Sequence, residues 1–402
     1  MSPTVDRVVQ GRLCTGCGLC AAVSDGGIVM GSSPDGFNRP RQLSPVDDAC
    51  EAIIAQACPG AVVAAWPKAP NLHPVWGPYY GVYTGYATAA DVRFTGSSGG
   101  AVTALAVHAL TSGLVDRVIH VIADPADPAG NLVRCSTSPA EVIEGAGSRY
   151  ISSSPLADID RVLADGGSAA FVGKPCDVSA LRRLALSDPR VDRYIPLMLA
   201  FFCAGIPSRH AVDRVLGAVG VPAAELAAFR YRGNGWPGQA TATARDGRVA
   251  QMSYEESWGD YLSKEVQFRC KICPDAVGGV ADIACADAWY GGETGYPTFD
   301  ELDGRSLIVS RTARGQAILD QAVADKAVAM VALAITEIDL MQPSQAQRKY
   351  AVRARMAALT ATLQPRPSTH GLSVEAASRL AGLKDQARNF LGTMRRIILR
   401  RR

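Results

Sequence analysis

The chain has 402 residues, of which 48% are hydrophobic, with 41 Lys plus Arg against 38 Asp plus Glu and a formal charge of +3 at pH 7. That composition describes a folded protein of roughly two to three domains with a large buried core, not a disordered chain, and nothing in it reads as a nucleic-acid-binding module. Eleven cysteines gathered in short motifs behind a polar N-terminus, with no secretory leader and no apolar run near the roughly 20 residues of a membrane span, point to a reducing cytoplasm and metal ligation.

The first motif is Cys14-Thr15-Gly16-Cys17-Gly18-Leu19-Cys20, with Cys58-Pro59-Gly60 downstream. Three thiolates on one tight loop can wrap three corners of a cubane iron–sulfur cluster, the glycines let the backbone turn around the sulfurs, and a Cys-Pro supplies the fourth ligand. In two-cluster ferredoxins the run continues with a further cysteine that serves a second cluster; here that position is Ser24, so one cluster is expected in this module. Cys50 competes for the fourth place, but the proline after Cys58 fits the ferredoxin pattern. A zinc knuckle or a disulfide framework is the weaker reading, because no histidine lies nearby.

The pattern predicts a ferredoxin-like module over residues 11–65, with a strand at Gly27 to Met30 and a helix from Pro45 to Ala57. Prolines 67, 70, 74 and 78 predict an extended connector over 66–80. From 81 to 340 strands alternate with helices: strands at Tyr79 to Ala87, Arg117 to Ala123, Ala169 to Val172 and Tyr194 to Phe202, and helices at Gly99 to Ser112, Ala157 to Ala164, Val178 to Leu186 and Arg209 to Val219. Phe229 to Arg232 and Ala240 to Met252 read as further strands around an Asp246-Gly247 turn. The expected architecture is α/β, the small cysteine module preceding a mixed α/β domain.

Two features of this domain carry chemistry. Thr95-Gly96-Ser97-Ser98-Gly99-Gly100 runs into a helix, and open N–H groups there suit a cofactor phosphate, although a capped helix after a turn explains the same residues. Cys176, Cys203, Cys270 and Cys273 fall in loop contexts, the first two after apolar strands. Together they would satisfy a second cubane or an all-thiolate zinc site. Cys135 and Cys285 read as structural.

Residues 341–402 are expected to be helical, with a basic tail. Arg379 to Arg402 holds eight Lys or Arg and one acidic residue, interleaved with Leu380, Leu383, Phe390, Leu391 and Ile397. An amphipathic helix on an anionic membrane surface or acidic partner, and a terminal helix packed on its own protein, fit equally.

Ser97-Ser-Gly-Gly-Ala-Val-Thr-Ala-Leu105, Gly173-Lys-Pro-Cys-Asp177, Phe229-Arg-Tyr-Arg-Gly-Asn-Gly-Trp-Pro-Gly238, and Cys270-Lys-Ile-Cys-Pro-Asp275 followed by Ala281-Asp-Ile-Ala-Cys-Ala-Asp-Ala-Trp289 occur in that order. Jointly they resemble the coenzyme F420 hydrogenase/dehydrogenase beta-subunit family. The cysteine run is similar to the branch that includes 7-hydroxymethyl chlorophyll a reductase.

The resemblance implies FAD beside two 4Fe-4S clusters in an α/β domain. It implies Cys14, Cys17, Cys20 and Cys58 as ligands of an outer cluster, and Cys176, Cys203, Cys270 and Cys273 as ligands of an inner one. Thr95, Ser97, Ser98, Gly99, Gly100 and Thr103 would lie against the flavin or its phosphates. Lys174, Asp177, Asn234 and Asp287 are the polar residues of the matched motifs, expected at flavin or substrate. Lys174, Asp177 and Asp287 are the candidates for charge stabilisation and proton relay.

The expected function is an iron–sulfur flavoprotein oxidoreductase. Electrons would pass from a one-electron donor such as ferredoxin through both clusters to FAD and an organic small-molecule substrate. The alternatives are a coenzyme F420-dependent oxidoreductase, an electron-transfer subunit of a larger complex or an oligomer, and a zinc-stabilised binding protein. Each has a cytoplasmic setting.

Overall fold

The computed structural model describes residues 2–291 and 298–399, so the three arginines that end the basic tail lie outside the described residues. Helix α1 (Pro3–Gln10) starts at Ser2, whose hydroxyl accepts from the Val5 N–H. After the cysteine loop come the hairpin strands β1 (Ile28–Ser32) and β2 (Asn38–Gln42), then α2 (Asp48–Ala57). The carboxylate of Asp47 accepts from the Cys50 N–H at 2.7 Å and caps α2. The expected strand and helix of this region are present with shifted ends. β2 was not foreseen, because Asn-Arg-Pro-Arg-Gln lacks the apolar alternation that announces a strand.

The main body follows with β3 (Gly81–Ala87), α3 (Ala101–Thr111), β4 (Arg117–Ala123), β5 (Asn131–Ser136), β6 (Ala169–Gly173), α4 (Pro175–Leu184), β7 (Leu197–Phe201) and α5 (Arg209–Ala218). A separate antiparallel sheet holds β8 (Leu226–Arg230), β9 (Gln239–Ala244) and β10 (Val249–Ser253). The chain then returns through β11 (Ile283–Asp287), β12 (Ser306–Ser310), α6 (Ala313–Ala324) and β13 (Val328–Ala332).

An eight-stranded mixed sheet has the order β13-β3-β12-β11-β7-β6-β4-β5. Its centre, β11, β7, β6 and β4, is parallel, and β5, β12, β3 and β13 join antiparallel. Alternation divides the central strands between two cores. Phe171, Met198, Ala200 and Ala284 pack with Val178 and Leu181 of α4. Ala170, Leu197, Leu199 and Ile283 pack with Leu105 of α3 and Leu319 of α6. Parallel strands covered on both faces explain the continuous apolar runs of the sequence. The α/β expectation holds for this sheet.

The connector departs from its expectation. Residues 71–73 and 77–79 pair as a short hairpin, Val75 and Trp76 are fully buried, and the Trp76 indole N–H donates to Asp339 at 2.9 Å. Prolines prevented a helix, but these apolar side chains gain too much from burial to remain in a solvated link.

The C-terminal helices α7 (Pro343–Tyr350) and α8 (Val352–Ala361) divide at Ala351. Val352, Met356 and Leu359 share a core with Leu13, Cys14, Ala61, Phe268 and Ile272, so the chain's end closes over both cysteine segments. The last helix, α9 (Leu383–Ile398), packs on α8, with Asn389 accepting from Arg355 at 2.9 Å. Leu383, Leu391 and Ile398 stay exposed. No described helix is long and apolar enough to cross a membrane.

Candidate redox site

The first cysteine loop is shaped by Gly16 and Gly18, whose φ angles of 78° and 90° lie in the left-handed region. A Cβ at Gly18 would stand 2.7 Å from the Ala157 nitrogen, so the loop needs glycine to dock on the segment where the Leu156 N–H donates to the Cys17 carbonyl at 2.9 Å. Cys14, Cys17, Cys20 and Cys58 line one small pocket walled by Val5, Leu19 and Ile54. Burial raises all four thiols; Cys17, Cys20 and Cys58 are raised further by others of the set, and the Arg39 charge partly offsets the rise at Cys14. Cys58 is pushed up to about 11. Deprotonating these buried sulfurs together calls for a positive guest, which an iron cluster supplies. Cys50 lies outside the described lining; burial raises its thiol too, with Asp47 and Glu51 as the charges acting on it.

The second set forms at the carboxyl edge of the parallel strands. Cys176 follows β6 in the first turn of α4, where the helix dipole favours a thiolate. Cys203 follows β7, and its N–H donates to the Ala276 carbonyl at 2.8 Å. A Cβ at Gly205, with φ 120°, would stand 3.3 Å from the Cys270 Cβ, so glycine there allows the two loops to meet. Burial is the largest cause raising Cys176, Cys203 and Cys273; the Asp177 charge comes next at Cys176, and neighbouring thiolates raise all three and link them with Cys270. Among the described residues no three His, Cys, Asp or Glu side chains converge tightly enough to hold a single metal ion.

Buried polar side chains join the two sets. Arg269 donates from Nη2 to the Pro59 carbonyl at 2.9 Å, and its charge partly offsets the rise at both Cys58 and Cys273. Arg39, against Cys14, donates to Gln267 Oε1 at 3.1 Å, and Gln267 Nε2 donates to Cys270 Sγ at 3.3 Å. Lys174 and Asp177 form a buried pair of 2.7 Å. The Asp177 charge acts on Cys17 of one set and Cys176 of the other. Burial opposes the Lys174 charge, but Asp177, Cys176 and Cys203 outweigh it and hold the ammonium well above its usual range. Lys174 also donates to Ser153 Oγ at 3.2 Å.

The glycine turn lies at the same edge, because β3 and β12 end and begin there. Its hydroxyls are engaged by protein: Thr95 donates to Asp91 O at 2.7 Å, Ser97 to Arg232 O at 3.3 Å, and Ser98 meets Ser306 Oγ at 2.9 Å. A Cβ at Gly99 would stand 2.7 Å from the Gly85 carbonyl, and one at Gly100 2.7 Å from that of Val92. These glycines therefore serve close backbone packing. Helix α3, which carries Thr103, has no side-chain cap, leaving its first N–H groups open to an anion.

Beside the turn stands Arg232, 1% exposed. It pairs with Asp287 at 2.9 Å and stacks over Tyr254 at 4.3 Å and Trp289 at 4.9 Å. Its Nη2, the Arg230 Nε and the Trp236 indole N–H are buried without partners. Arg230 donates to Thr95 O at 2.6 Å. Asn234, exposed at φ 59°, sits in the loop whose Gly235 N–H donates to Phe94 O at 2.9 Å. The structure thus brings Asn234, Asp287 and residues 95–100 together, and places Lys174 and Asp177 at the cysteine sets. No hydrogen bond or ion pair among the described residues connects Lys174 or Asp177 to the turn. Sequence reasoning missed Arg232, Arg269, Arg39 and Gln267, although Arg232 stands inside a quoted motif and Arg269 immediately before another.

Known proteins resemble this chain. Residues 82–159 match the profile of the coenzyme F420 hydrogenase/dehydrogenase beta subunit N-terminal region, and residues 166–335 that of its C-terminal region. The coenzyme F420 hydrogenase subunit beta of Methanococcus voltae is 27% identical over 258 residues, covering 61% of this chain and 82% of that protein. The coenzyme F420-dependent sulfite reductase of Methanocaldococcus jannaschii is 23% identical over 330 residues, covering 78% of this chain. The chain spans 46% of that second relative's length. A chain of the F420-reducing [NiFe] hydrogenase complex of Methanosarcina barkeri shares the fold, with a TM-score of 0.57 at 19% identity, covering 75% of this chain and 99% of its own. The two profiles together take in more than half of the sequence, and the chain belongs to the coenzyme F420 hydrogenase/dehydrogenase beta-subunit family.

Proposed function

We propose that this chain is an iron–sulfur oxidoreductase that moves electrons between two cysteine-held 4Fe-4S clusters and a flavin. The observation that carries the reading is the approach of Cys14, Cys17, Cys20 and Cys58 to Cys176, Cys203, Cys270 and Cys273 across Arg269 and the Lys174–Asp177 pair. When bound, the clusters would take up single electrons and the flavin would exchange them as pairs with an organic partner.

The chain's own groups prepare the site. Gly16 N–H donates to Cys14 Sγ at 3.4 Å and Gln267 to Cys270 Sγ at 3.3 Å; such donors stabilise electron-rich sulfur. Arg269 adds positive charge between the sets, and the burial of the thiols excludes water. At the turn, the open start of α3 would take a flavin phosphate, and the unpartnered Nη2 of Arg232 is a further donor for flavin or substrate. Asp287, half-buried and held by Arg232, would hold a proton on its free carboxylate oxygen during reduction.

The relatives' names favour coenzyme F420 as the hydride partner, ahead of another organic substrate. Ferredoxin remains the proposed one-electron donor, and the sheet-level likeness to a chain from a hydrogenase complex supports a role beside partner subunits. Anaerobic stopped-flow mixing of dithionite-reduced protein with oxidised F420 tests the pairing. Bleaching of the deazaflavin's oxidised band is lost if F420 is not the partner, and a flavin assay on the same sample reads the FAD assignment independently.

A further inference from the structure

Helices α7 and α8, the segment before α9 and α9 itself, all outside the segments matched by the family profiles, line with Ser263 and Lys271 a cavity of about 720 Å³ that opens to solvent. That volume falls within the range of small-molecule sites, roughly 300 to 1,000 Å³. Lys271, Arg348, Arg355, Arg388 and Arg396 line it, and Asp385 is the sole acidic side chain in the described lining. Asp385 is already paired with Arg388 at 3.1 Å.

The lining holds five cations against one carboxylate, so their charge is only partly compensated. Arg348 donates to the carbonyls of Cys203 and Ala204 at 3.0 and 2.6 Å, and Arg355 to the carbonyl of Lys271 at 2.6 Å. Carbonyls orient these groups but carry no formal charge to neutralise them. Burial and the facing charges of Arg348 and Arg396 bring Arg355 down to about 10. Like charges packed around a wet cavity are relieved by an anion, and guanidinium forks match phosphate and carboxylate oxygens.

We propose that this cavity binds a small ligand bearing phosphate or carboxylate oxyanions, with Lys271 and Arg396 as its charge partners. Lys271 follows Cys270 in sequence and Arg348 donates to the Cys203 carbonyl, so the cavity's lining adjoins the second cysteine set. The site stands apart from the glycine turn.

Calorimetric titration of inorganic phosphate into the full chain, purified anaerobically, is the test. Saturable binding is expected, weakened at least tenfold in Arg396→Glu and in Arg388→Glu, both with parental unfolding temperatures in phosphate-free buffer. Phosphate should also slow acetylation of Lys271 in the unsubstituted chain, a reading that needs no variant. Tighter binding of ADP than of phosphate identifies an organic phosphate, and equal affinity a free oxyanion; either supports the site. Absence of saturable binding, unchanged affinity in both variants, or an unprotected Lys271 overturns it.

Discussion

Arg269 donates to the carbonyl of Pro59 across 210 positions of sequence at 2.9 Å, and this bond ties the Cys58 segment to the Cys270 segment. The guanidinium is 2% exposed, so its charge acts through little water on both cysteine sets. Replacing it by glutamine, Arg269→Gln, removes a positive charge that favours the added electron. Reduction potentials of both clusters should fall by about 60 mV, a tenfold change for one electron. Redox titration followed by EPR checks this; unchanged potentials with a loss of stability alone would assign Arg269 a purely structural part.

Cys58 and Cys50 make opposite predictions although both lie on or beside α2. Cys58 lines the pocket of Cys14, Cys17 and Cys20, whereas Cys50 does not. Cys58→Ser should lower iron content by about half, and Cys50→Ser should leave it at the parental value. Equal losses in the two variants would mean that the fourth ligand has been misassigned.

Lys174 and Asp177 form a buried pair whose second carboxylate oxygen has no partner. Lys174→Met leaves Asp177 charged and unmatched, at a cost of about 3 to 5 kcal/mol. Converting both, Lys174→Met with Asp177→Leu, should restore most of that loss, because desolvating an ion pair offsets much of its attraction. Urea unfolding of the two variants measures the difference, and a single variant within about 1 kcal/mol of the parent would contradict the pairing.

How legible the site was depended on sequence separation. Cys14, Cys17 and Cys20 stood out because their spacing alone suits a ligand loop, and the parallel strands β4, β6 and β7 were readable because they are apolar on both faces, whereas β11 was not foreseen. Strand β12 was missed, since Ser306 and Ser310 bracket its apolar core with polar residues that the fold nevertheless buries. The link from Arg39 to Gln267, 228 positions apart, leaves no local pattern. The glycine turn was read either as a cofactor cradle or as a capped helix start; that Gly99 and Gly100 also admit the backbones of Gly85 and Val92 was not legible, because only the assembled sheet brings these near.

His120 gives a prediction for pH. Its imidazole is buried, bonded to Ser136 Oγ at 2.7 Å, and burial with the Arg134 charge lowers its pKa from 6.5 to about 4. The unfolded chain therefore binds this proton more readily, so stability is lost as pH falls through 6.5 towards 4. By pH 5 the loss from this group is about 2 kcal/mol. Urea melts at pH 7 and pH 5 should show a smaller difference in His120→Gln than in the parent; an equal difference would exclude His120 as the source.

The central claim is that eight cysteines hold two clusters in contact through buried charge. Iron and acid-labile sulfide counting on anaerobically purified chain, with EPR of the reduced sample, tests it most directly. The account predicts about eight iron and eight sulfide per chain, with magnetic coupling between the reduced clusters. Four iron per chain, or a colourless protein containing zinc, would contradict it.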